Sequence, residues 1–160
     1  MRSLVLVLLL GCQHSTKATE GQSVVLSSGD DVTVGTLRIE ARASGDDFVI
    51  RMQDGARKDT RHVTGQRDVK LGAHRIRFDE AGSKVTVTVR AYAPASPLTS
   101  EDALLAADEA MSPKSQGPVE CVEPTLSADG KTFGVRCRDT DTAGSDKMLH
   151  VDRLTGAIVP

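Results

Sequence analysis

The chain has 160 residues, 39% of them apolar, and a formal net charge of −2. Phe48, Phe78, Tyr92 and Phe133 are its aromatic residues and it has no tryptophan, which excludes the repeated rings of a stacking platform for sugars or single-stranded nucleic acid. The length excludes a multidomain enzyme and leaves one domain or two small ones, while the near-neutral charge lacks the basic footprint of a nucleic-acid binder.

At the N-terminus, Arg2 precedes an unbroken aliphatic run from Leu4 to Leu10. A run of that length spans about 10 Å as a helix, against about 30 Å of bilayer hydrocarbon, so it has the proportions of a signal-peptide core and not of a membrane span. The residues that follow, Leu9-Leu10-Gly11-Cys12, resemble the lipobox of bacterial lipoprotein signal peptides. The resemblance implies removal of residues 1–11, a diacylglyceryl group on the Cys12 thiol and a further acyl chain on the new amino terminus. Two or three such chains make a lasting membrane anchor where one is marginal. Gln13, in place of Asp, implies the outer membrane of the envelope over the inner. Residues 12–21 are polar and read as a flexible tether. Removal of Arg2 with the signal makes the mature chain one unit more negative than the full one.

From residue 22 to residue 93 the pattern is β: a β-rich module, expected as a small sandwich or a strongly coiled sheet. Strand candidates cover residues 23–27, 31–42, 47–52, 67–71, 73–79 and 84–93. Within residues 31–42 the apolar phase changes at Gly35-Thr36, which predicts a bulge or bend in one strand. Around Ala81-Gly82, a register with opposed positions summing to 163 sets Phe78 against Val85, Ile76 against Val87 and His74 against Val89, all facing the core. Residues 53–68 carry no strand periodicity and hold Arg57, Lys58, Arg61, His62 and Arg67. They read as a solvated loop, or as a loop that meets an anionic partner or lipid headgroup.

A Pro-containing linker at residues 94–98 leads into an α+β module over 97–160, a helix packed on a three- to four-stranded antiparallel sheet. Thr99 or Ser100 caps the helix, Glu101 and Asp102 suit its first turn, and Leu104, Ala107 and Met111 form its apolar stripe, which ends near Ser112-Pro113. Strands are expected at 119–123, 132–138, 147–152 and 157–159. With Cys12 assigned to lipid, Cys121 and Cys137 remain, and an exported chain most simply pairs them. A three-residue hairpin loop at Ala128-Asp129-Gly130 also sets them opposite each other, unless Pro124 bulges the strand and shifts the register. Closing that loop of about 17 residues adds roughly 3 kcal/mol in the chain-entropy view.

The helix pattern Thr99-x-x-x-Ala103-Leu104-x-x-Ala107, the strand Phe133-x-Val135 and the ending Val151-Asp152-x-x-Thr155-Gly156-x-Ile158 resemble the PepSY domain, a small exported α+β module associated with binding or inhibiting peptidases. The two cysteines and the acidic loop 139–146 depart from that pattern. The loop begins like a calcium loop, but Ala143 and His150 stand where oxygen ligands belong, so it reads as a polar hairpin. His74 and His150 lack partners at metal-ligand spacing, no paired nucleophile and base is visible, and nothing indicates a cofactor. The expected role is non-catalytic binding of a peptide or envelope protein. A structural or assembly lipoprotein of the outer membrane is the alternative, with peptidase inhibition implied only by the PepSY resemblance and hydrolysis a distant third.

Overall fold

The structure, a computed structural model, describes residues 14–114 and 117–160. The expected signal peptide, the lipobox and Cys12 lie outside the described residues. The first half of the chain forms strands β1 (Ser15–Ala18), β2 (Ser23–Ser27), β3 (Asp31–Val34), β4 (Leu37–Ser44), β5 (Asp47–Asp54), β6 (Arg57–Val63), β7 (Gln66–Leu71), β8 (His74–Ala81) and β9 (Lys84–Ala91). The second half forms helix α1 (Ser100–Met111), a short 3-10 turn (Ser112–Lys114), and strands β10 (Val119–Cys121), β11 (Thr125–Leu126), β12 (Thr132–Asp139), β13 (Lys147–Asp152) and β14 (Ile158–Val159). The fold is mainly β with one helix on a sheet, as the sequence implies.

Strands β3 to β9 are a meander whose hairpins turn in two residues, at Gly35-Thr36, Gly45-Asp46, Gly55-Ala56, Gly72-Ala73 and Gly82-Ser83. Each of these turns begins with a glycine at φ between +58° and +66°, the left-handed conformation that a two-residue hairpin requires and that a side chain resists. The meander divides at Thr64-Gly65 into two sheets, ordered β1-β3-β4-β5-β6 and β2-β9-β8-β7. Every second residue points between them: Leu37, Ile39 and Ala41 from β4, Phe48, Ile50 and Met52 from β5, and Val85, Val87 and Val89 from β9 are buried together. A separate core lies under α1, where Ala103, Ala107 and Met111 meet Val119, Phe133, Val135, Cys137 and Val151.

Several expectations change. Residues 15–18 are not tether: they add as β1, parallel to β3, because the β3 edge offers unpaired backbone groups and the amide of Asp31 donates to the His14 carbonyl at 3.0 Å. The phase change at Gly35-Thr36 is a complete hairpin with Val34 opposite Leu37, not a bend. Register between β8 and β9 is two residues from the expected one, with Phe78 opposite Val87 and Ile76 opposite Val89. A shift of two keeps every side chain on its face, so the core residues are unchanged. His74 pairs with Ala91 instead of Val89 and is half-buried, its Nε2 3.5 Å from Asp54 Oδ2.

In the third sheet, ordered β10-β12-β13-β14 with β11 also against β12, Cys121 stands opposite Cys137 and the two form a disulfide. The route differs from the expected one. At the tip, Thr125 pairs with Gly134 and Leu126 with Phe133, and the Ser127 amide donates to the Thr132 carbonyl. The loop is therefore Ala128–Lys131, one residue longer than expected. Glu123 and Pro124 then bulge against Val135, and this extra residue restores the register at the cysteines.

Candidate functional site

Helix α1 starts at an N-cap formed by Thr99, whose side chain and that of Asp102 exchange hydrogen bonds with each other's backbone amides. Asp102 also accepts from the Tyr92 hydroxyl at 3.3 Å and the Ala95 amide at 3.3 Å. Burial would raise the Asp102 carboxyl, but the bonds from Thr99, Ala95 and Tyr92 outweigh it and hold the group below its ordinary value. The Tyr92 hydroxyl moves the other way: burial, then the Asp102 charge, push it up to about 12. These contacts fix the start of α1 to the end of the first module.

The rest of α1 closes the seam between β6 and β7, the two strand edges left open where the meander changes sheet. Bare strand edges invite unwanted pairing and are commonly covered. Here the cover is ionic. Arg61, 2% exposed, donates through Nε to Asp59 Oδ2 at 2.9 Å and places Nη2 3.0 Å from Asp108 Oδ2. Asp59 accepts from the Ser112 hydroxyl at 2.5 Å. Arg67 ties three elements: Nη1 donates to the His62 carbonyl of β6, and Nη2 to Asp108 Oδ1 of α1 at 3.0 Å and the Val119 carbonyl of β10 at 2.8 Å. Lys70 and the Gly72 amide both engage Glu109, and Arg75 bridges Asp68 and Glu101. Burial is the largest effect on the Asp108 carboxyl and holds it above its ordinary value in spite of Arg61 and Arg67.

Above this seam opens a cleft of about 750 Å³, bounded by Asp47, Thr64 and Gln66 of the first module, by Leu104 and Leu105 of α1, and by residues 118–122 of β10 and its flanks. Strand β10 is the outermost strand of its sheet on this side. Val122 N–H donates to Arg136 and Pro118 C=O accepts from Thr140, so the even-numbered residues of this stretch turn their backbone groups toward β12. Val119 and Cys121 therefore turn theirs outward. Arg67 occupies the Val119 carbonyl; the Cys121 N–H and C=O have no partner among the described residues. Val122, 51% exposed, flanks them. The cleft thus presents one free β-strand edge over an apolar floor, with the disulfide anchoring that strand from behind.

The expected basic loop is not a loop. Residues 57–63 are strand β6, paired along its length with β5. Its periodicity is hidden because two of its inward positions are Asp59 and Arg61, charged residues that neutralise each other in the seam. Arg67 belongs to β7 and is a brace, His62 lines the cleft, and Arg57 and Lys58 are exposed at a shallow groove beside Glu109 and Pro113. The five residues therefore do not form one partner-binding surface. The loop after β12 is the polar hairpin expected: Asp139 accepts from the Asp141 amide and the Thr142 hydroxyl. No cluster of metal-ligating residues occurs among the described residues, and no helix there is long and apolar enough to cross a membrane. The strand-edge cleft itself was missed by sequence reasoning, since it joins residues far apart in the chain; the only local hint was the shortness of the strand before Pro124. Comparison of the chain with family models, with curated proteins and with solved structures finds no match.

Proposed function

We propose that this chain is a lipid-anchored protein of the bacterial envelope that binds an extended segment of a partner protein in the cleft between its two modules, without catalysis. The observation that carries the binding role is the outward backbone of Cys121, an unpaired strand edge facing a cleft with an apolar floor. An extended peptide adds to such an edge as another strand, taking affinity from main-chain hydrogen bonds and selectivity from alternate side chains. The anchor rests on the lipobox resemblance at Cys12. Strand β1 begins at Ser15, so an acylated Cys12 leaves a tether of three residues, reaching at most about 10 Å, and holds the β-rich module close against the bilayer.

Two measurements test this reading. Intact-mass analysis of protein recovered from membranes is expected to show loss of residues 1–11 and added acyl mass on Cys12; an unmodified N-terminus removes the anchor. For the cleft, the soluble Cys12→Ser chain is titrated with a terminally blocked hexapeptide alternating valine and serine. Amide NMR shifts confined to Asp47, residues 62–67, residues 104–105 and residues 118–122, with slower hydrogen exchange at Cys121, are expected. Shifts elsewhere, or none, remove the cleft.

A further inference from the structure

The carboxylates lining the cleft are Asp47, Asp68, Glu101, Asp108 and Glu120, and its one lining guanidinium is Arg67. Arg67 is largely committed to the protein, its Nη1 donating to the His62 carbonyl and its Nη2 to Asp108 and the Val119 carbonyl. The acids are spent unequally. Asp108 is held by Arg61 and Arg67, while Asp68 and Glu101 share Arg75. Asp47 has only the Thr64 hydroxyl, at 3.2 Å. Glu120 is 57% exposed, and its partner Arg138 lies on the neighbouring strand, on the side away from the cleft. Asp47 from the first module and Glu120 from β10 thus both line the cleft, and its lining bases are the committed Arg67 and the ring of His62, fewer than its acids.

We infer that the segment this cleft takes is basic: an extended stretch of a partner protein in which lysine or arginine alternates with apolar residues. The inference rests on the strand-edge reading above. A strand added beside β10 sends alternate side chains to opposite faces. One set covers Leu104 and Leu105, and the other emerges beside Glu120 and Val122. A cation there meets Glu120 as a cross-strand pair of opposite charge, and the acidic walls draw it in from solution. A second copy of this chain is a poorer occupant. Two β10 edges paired antiparallel would bring their Glu120 carboxylates onto neighbouring positions, where like charges repel.

The test uses the soluble Cys12→Ser chain and three terminally blocked hexapeptides that alternate valine with lysine, glutamate or serine. The lysine peptide is expected to bind on the order of tenfold more tightly than the glutamate peptide at low salt, a preference that shrinks at molar salt as screening would require. The double variant Asp47→Asn, Glu120→Gln is expected to narrow the preference. Equal binding of the lysine and glutamate peptides, with the serine peptide still shifting residues 118–122, overturns the charge inference and leaves the strand-edge site standing. Failure of all three to reach the cleft overturns both. Sedimentation showing a dimer lost on Val122→Arg assigns the edge to a second copy and also overturns the inference. The salt dependence of the unaltered chain decides the matter even if the double variant does not fold.

Discussion

Tyr92 is the chain's single tyrosine, and there is no tryptophan, so the ionisation of one hydroxyl can be followed by absorbance without interference. Burial and the neighbouring Asp102 place that ionisation at about 12 in the folded protein, against about 10 for an ordinary tyrosine. The unfolded chain gives up this proton first. The contribution of Tyr92 to stability is therefore whole below pH ~10 and is lost as the pH rises through the folded value. Spectrophotometric titration is expected to show no tyrosinate step near pH 10 until the chain is unfolded, when the step moves down to about 10; a native step there contradicts the Asp102 contact. Asp102→Asn should lower the native midpoint. Asp102 itself carries the opposite sign: its carboxyl is lowered by hydrogen bonds that prevail over burial, so its contribution is present above the ordinary carboxylate range and fades as the pH falls through the lowered value.

Elements with simple alternation were legible and elements with charged inward positions were not. Strands β4, β5, β8 and β9 place Leu37, Ile39, Ile50, Ile76, Phe78 and Val87 inward in strict alternation, and the helix cap at Thr99 has a direct local signal. Strand β6 reads as loop because Asp59 and Arg61 take core positions whose justification lies on α1, far away in sequence. For the same reason the cleft could not be read: its floor, wall and free edge come from α1, from the start of β7 and from β10. The cysteine pair was legible through export and spacing, although the bulge at Glu123-Pro124 and a longer loop reached the same opposition by compensating steps. The bridge has a sequence separation of 16, a loop worth roughly 3 kcal/mol in the chain-entropy model. Replacing both cysteines by serine is accordingly expected to lower the unfolding free energy by about that amount, read from the denaturant midpoint. An unchanged midpoint would mean that β10 is held by α1 and Arg67 alone.

At the scale of the molecule, the two modules keep separate apolar cores and are joined by a buried ionic seam with Arg61 at its centre. Its guanidinium is the one group between the carboxylates of Asp59 and Asp108, both of which are buried. Arg61→Met keeps the apolar stem but leaves the Asp59 carboxylate without a cation and Asp108 with Arg67 alone. Breaking a buried pair in this way typically costs about 3–5 kcal/mol, far more than loss of an exposed pair such as Arg138 with Glu120. The cost has a pH dependence of fixed sign. Asp108 already sits above the ordinary carboxylate value, through burial first, and without Arg61 it rises further. A carboxyl raised in the folded state favours folding below its unfolded value and loses that contribution as the pH rises through the folded one. The deficit of Arg61→Met relative to the unaltered chain is therefore expected to be largest near neutral pH and to narrow toward pH ~4, where the carboxyls take up protons. Denaturant unfolding of both proteins across that range measures it. Calorimetry adds the structural half of the argument: a seam that couples the modules gives the unaltered chain one transition, and the variant, with α1 released from β6 and β7, two. A deficit independent of pH, or two transitions in the unaltered chain, would show that the ionic seam does not join the modules.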